Sequence, residues 1–88
     1  MASVKNLKKD IHYVLGDIIQ AIYIHEMATV GGPTAETEAL LEETLTSFDE
    51  LIEAVNAKNV ENKKAHFKGV YKKLEDVAGQ LVEKINAL

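Results

Sequence analysis

Three stretches of this chain repeat their apolar residues at three- and four-residue steps, and each stops at a short break. An α-helix, at about 3.6 residues per turn, gathers positions so spaced onto one face, so the pattern asks for three amphipathic helices joined by tight connections. In the first stretch Leu7, Ile11, Val14, Leu15, Ile18, Ala21, Ile22 and His25 fall in line behind Val4. Gly31-Gly32-Pro33 ends it, because paired glycines favour non-helical backbone and proline has no N–H to donate to the ladder. Thr34 then offers a side-chain oxygen to cap a new helix, with Glu36 and Glu38 suited to its first-turn dipole. The second stretch reads Leu41, Leu45, Phe48, Ile52, Val55, with Leu40, Thr44 and Leu51 widening the stripe, and fades over Asn56-Ala57-Lys58-Asn59. The third restarts near Val60 and carries a heptad of Val60, Phe67, Leu74, Leu81 and Leu88, flanked by Val70, Tyr71, Val77, Ala78, Val82 and Ile85.

The fold class that follows is all-α, an up-down-up antiparallel three-helix bundle over about 4–29, 34–56 and 60–87, with 1–88 as a single domain. A strand competes at one place only, the β-branched run Asp17 to Ile24. That run continues a helical pattern without a turn signal, and a lone strand would leave its backbone groups unsatisfied, so a helix is expected there.

Composition narrows the function classes. A chain of 88 residues makes a thin core without a deep substrate cavity, so an enzyme is not expected. With no cysteine there is no disulfide framework, no thiolate nucleophile and no cysteine-ligated metal, and the reducing cytoplasm is the expected compartment. No signal-peptide core opens the sequence, and the richest apolar run, Ile18 to Ile24, is broken by Gln20 and far too short to span a bilayer. There is no Glu-x-x-His pair, no His-Glu-x-x-His, no calcium-type acidic loop and no glycine-rich phosphate loop, so neither metal nor cofactor is expected.

Charge is unevenly spread. Thr34 to Ala57 holds seven carboxylates and no lysine, whereas Lys58 to Lys73 holds six lysines against Glu61 alone. Antiparallel packing of these two helices would place Glu42, Asp49, Glu50 and Glu53 within reach of Lys63, Lys64, Lys68 and Lys72, an internal counter-charge for the basic stretch. The chain has no arginine, the residue that pairs bidentately with phosphates and guanines, and its net charge is −4. Nucleic acid is therefore not an expected partner.

The first helix differs from the other two in having a second apolar strip, on the side away from its core face. Tyr13, Tyr23, Ile24 and Met27 project there with Gln20 among them, and side chains of that size are not normally left together in water. A contact with a second copy of the chain, or with another helical protein, is the expected use. Of the three histidines, His25 projects onto the core face near the end of its helix, and His12 sits beside the apolar face with Lys8 and Gly16 one turn away instead of a carboxylate.

His66 belongs to Ala65-His66-Phe67-Lys68-Gly69, which resembles the phosphorylated-histidine signature of histidine phosphotransfer domains, small helical bundles whose exposed histidine is followed by lysine three residues on and glycine four residues on. Here one residue is missing from that spacing, and Lys68, two residues on, lies about 200° around the helix from His66 and cannot neutralise a phosphoryl group there. The resemblance implies at most a degenerate phosphotransfer site at His66. Separately, the opening Lys5 to Ile19, Ser47 to Ile52 and Asn62 to Phe67 resemble a set of short bacterial proteins of uncharacterised role. That likeness implies a free-standing bacterial cytoplasmic protein and carries no activity or site with it.

Overall fold

The computed structural model describes residues 4–58 and 60–88, so Asn59, counted above in the second break, lies outside them. Helix α1 spans Val4–His25, α2 Ala35–Val55 and α3 Lys63–Asn86, and each packs against the other two. Specific contacts fix the topology. His12 meets Phe48 and Glu26 meets Thr37, so α1 and α2 run antiparallel. His66 reaches Ala54 and Lys84 reaches Glu43, so α2 and α3 do likewise, while the Tyr71–Asp10 bond sets α3 parallel to α1. This is the up-down-up bundle, a rod of 48 × 19 × 18 Å.

One core runs along its axis. Leu7, Ile11, Leu15, Ile18 and Ile22 of α1 meet Leu40, Leu51 and Val55 of α2 and Val70, Leu74 and Leu81 of α3. The Asp17–Ile24 run is helical throughout. At its end the first helix widens into a π turn, Glu26–Val30, and stops at Gly31, whose φ of 76° lies in the left-handed region that glycine tolerates. The backbone N–H groups of both Gly31 and Gly32 donate to the Glu26 carbonyl and so close the helix. Thr34 then caps α2 as expected, its hydroxyl accepting from the Thr37 N–H at 3.1 Å while the Thr34 N–H donates to the Thr37 hydroxyl at 2.9 Å.

The helices differ from expectation in four respects. The buried line of α2 is Thr37, Leu40, Thr44, Leu51 and Val55, whereas Leu41, Phe48 and Ile52 are half-buried and Leu45 is 53% exposed. The helix is thus turned by part of a step toward its threonines. Thr44 is tolerated inside because its hydroxyl donates to the Leu40 carbonyl at 2.7 Å and leaves only a methyl group to pack. Helix α3 begins at Lys63 instead of Val60, since the Asn62 side chain accepts from the Ala65 N–H at 3.1 Å and a capping residue marks where the helix starts. Leu88, placed in the heptad, ends 36% exposed beyond the last turn. Finally, the inward place near the end of the first helix belongs to Glu26, and His25 is only half-buried.

Candidate functional site

The outer strip of the first helix stands free. Tyr13 is 64% exposed, Tyr23 52%, Ile24 59% and Met27 72%, with Gln20 exposed among them. Gln20, Tyr23, Ile24, Met27 and Ala28 line a shallow depression of about 420 Å³. Among the described residues neither Tyr13 nor Tyr23 has a hydrogen-bond partner, so both hydroxyls remain free to donate. Gly16, four residues before Gln20, is exposed with nothing near where a Cβ would stand, which leaves a notch in the same surface.

The neighbouring helices add to this surface. Leu45 lies one turn from Phe48, whose ring packs on His12 of α1, and Val82 lies three turns beyond Tyr71, whose hydroxyl bonds Asp10 of α1. At about 100° per residue, each therefore projects from the flank of its own helix that is turned toward α1. Leu45 and Val82 are 53% and 46% exposed, so apart from Val4 and Leu88 at the ends, the exposed large apolar residues described all sit on the α1 side of the rod. The apolar pattern counts both in the inward stripes of their helices, and the structure turns both outward, because which side of α2 or α3 meets α1 depends on how the helices are rotated against one another.

The predicted ion pairs form differently. Lys73 approaches Glu50 at 3.7 Å, and Lys84 binds both oxygens of Glu43 at 2.7 and 3.0 Å. Among the described residues Lys63, Lys64, Lys68 and Lys72 make no ion pair, nor do Glu42, Asp49 and Glu53. The cause is rotational. His66, Lys73 and Lys84 define the flank of α3 that meets α2, and Lys64, Lys68 and Lys72 climb the other side, exposed.

Among the described residues none of the three histidines joins a cluster of chemistry-bearing groups. His66 is half-buried and its Nε2 donates to the Ala54 carbonyl at 2.7 Å, satisfying a carbonyl in the last turn of α2. A ring nitrogen so engaged carries its hydrogen and has no lone pair to offer a phosphoryl group. His12 is exposed and presents its ring to Phe48 at 4.8 Å and 70°, and His25 borders a small hollow of about 240 Å³ with Thr29, Thr34, Glu36 and Leu88. Among the described residues no group of three potential metal ligands comes together, and no helix is long and apolar enough to cross a membrane.

Two polar contacts were not foreseen. Glu26, only 3% exposed, accepts a hydrogen bond from the Thr37 hydroxyl, which joins the end of the first helix to the start of α2. Tyr71 donates to Asp10 at 2.8 Å, and this bond, then burial and the carboxylate's charge, raise the phenol above its ordinary pKa near 10. Neither had a signal in the sequence, since the partners lie 11 residues apart in the first and 61 in the second and belong to different helices. Compared with family models, curated proteins and solved structures, the chain matches none of them.

Proposed function

We propose that this chain is a small non-catalytic interaction or assembly protein of the cytoplasm, acting through the outer apolar face of its first helix on a second copy or on another helical protein. One observation carries this reading, the gathering of Tyr13, Tyr23, Ile24 and Met27, flanked by Leu45 and Val82, on one side of the rod while the core is complete without them. A surface of this kind gains free energy by being covered, at about 25 cal/mol per Å² of apolar area removed from water. Two free tyrosine hydroxyls and Gln20 supply polar contacts that fix how a partner helix lies on it.

Ile24→Glu tests the reading, since the side chain is exposed and the substitution costs the bundle little while placing a carboxylate in the contact. Association measured by sedimentation on the order of tens of micromolar is expected in the parent chain and lost in Ile24→Glu and in Tyr23→Glu, with helical content and melting unchanged. Association that survives both substitutions would remove this face from consideration.

A further inference from the structure

The rod is electrically polar along its length. Cut at the middle of each helix, after Gly16, Leu45 and Leu74, the half where α1 begins, α2 finishes and α3 starts holds nine of the ten lysines and five of the fourteen acids. The other half keeps Lys84 and nine acids. Helix α1 runs from the basic half into the acidic one, with Lys5 and Lys9 on the outer side ahead of the strip, and Glu36 and Glu38 of α2 standing near its far end. Any partner laid along α1 meets this gradient.

We infer that the occupant of the outer face is a second copy of this chain, docked antiparallel about a two-fold axis near Gln20; this rests on the helix 1 face being the contact surface. Charge decides between the two symmetric ways of pairing. Parallel copies would set a basic half beside a basic half and a strongly acidic half beside its like. Antiparallel copies set each basic half against an acidic one, and for the charges carried on the facing first helices themselves, whose axes lie about 8–10 Å apart when packed, that difference acts within a Debye length.

The strip is built for this register. Its ends, Tyr13 and Met27, lie equally far from Gln20, so an axis there opposes each tyrosine to a methionine of the other copy, a favourable sulfur–aromatic pairing. Gly16 and Ile24 also stand four residues either side of Gln20, so the notch at Gly16 receives the largest aliphatic side chain of the strip. The two Gln20 amides meet on the axis, where each can donate to and accept from the other. Beyond the strip, Lys9 falls opposite the closing turn at Gly31, whose carbonyl-rich helix end favours a cation. The overlap of the two helices in this register is about 30 Å long and 10 Å wide and buries on the order of 600 Å² over both copies, the size of a weak, reversible, concentration-dependent contact.

The chain has no cysteine of its own, which makes disulfide trapping a clean test of orientation. Under mild oxidation Gln20→Cys is expected to link to itself. Tyr13→Cys should not, because its copy lies about fourteen helical steps, roughly 21 Å, along the axis, whereas a bridge needs Cα atoms within about 7 Å. Mixing Tyr13→Cys with Met27→Cys should raise the linked species roughly tenfold over either alone, and Gln80→Cys on another face should stay unlinked. Self-linking of Tyr13→Cys or of Met27→Cys would mean parallel pairing and overturn the inference, as would a parent chain that stays monomeric at several times that concentration. A parallel dimer still dissociated by Ile24→Glu would overturn only the orientation, whereas a dimer indifferent to Ile24→Glu would overturn the choice of face.

Discussion

Two side-chain bonds tie this bundle at points where apolar packing alone does not specify the fit. The Thr37 hydroxyl serves Glu26 and the Thr34 N–H at once, so Thr37→Val removes a cap contact and strands a buried carboxyl. A cost of about 2–4 kcal/mol is expected in urea unfolding, while Glu26→Met combined with Thr37→Val should recover part of it, because replacing both partners leaves no polar group unmatched. If the double variant is as unstable as the sum of the singles, the two residues are not acting as a pair. The Tyr71–Asp10 bond gives a pH signature instead. A phenol whose folded-state pKa is raised contributes stability that is complete below its unfolded value, near 10, and is lost as pH climbs through the folded value. Tyr71→Phe is expected to cost about 1 kcal/mol at neutral pH and to flatten the decline in stability above pH 10, read from unfolding midpoints across that range. Neither contact was legible in the sequence, where Glu26 looks like one more solvated acid and Asp10 and Tyr71 belong to different helices.

At the scale of the element, what could be read was whatever each helix decides for itself. The glycine pair before Pro33, the Thr34 cap and the strip on the first helix all depend on local chemistry or on one helix's own projection, and all appear where expected. The inward line of α2 was misjudged because counting apolar residues ranks Leu45 above Thr44, and the back-bond that hides a threonine hydroxyl is invisible to such a count. The same limit applied to α3, where apolar Val60 outranked the Asn62 cap. Two truncations of the same chemistry separate the readings of α2. Leu51, fully buried, should lose about 2–5 kcal/mol on Leu51→Ala, whereas Leu45→Ala should stay within about 0.5 kcal/mol in the monomer. Comparable losses at both positions would restore the leucine-centred stripe and contradict the observed rotation.

For the molecule as a whole, the charge pattern bears on choice of partner more than on stability. Among the described residues the two ion pairs that form join side chains more than two-fifths exposed, a class worth only about 0–1 kcal/mol each. Among the described residues the Lys64, Lys68 and Lys72 ladder finds no ion-pair partner, and it sits in the half that carries nearly all the lysines, so its surroundings are repulsive on balance. Such an arrangement lowers the stability of the monomer slightly while giving the rod a direction, the usual trade when charge specifies geometry. Replacing all three with glutamine is therefore expected to leave the bundle as stable or slightly more stable at low salt, by less than about 1 kcal/mol. The difference should vanish near 0.5 M salt, where the Debye length falls to about 4 Å. Urea unfolding at the two ionic strengths measures this directly. A triple variant that is less stable at low salt, with the loss erased by salt, would mean that the carboxylates of α2 compensate these lysines through space, and the internal balance inferred from the sequence would then hold despite the absence of close pairs.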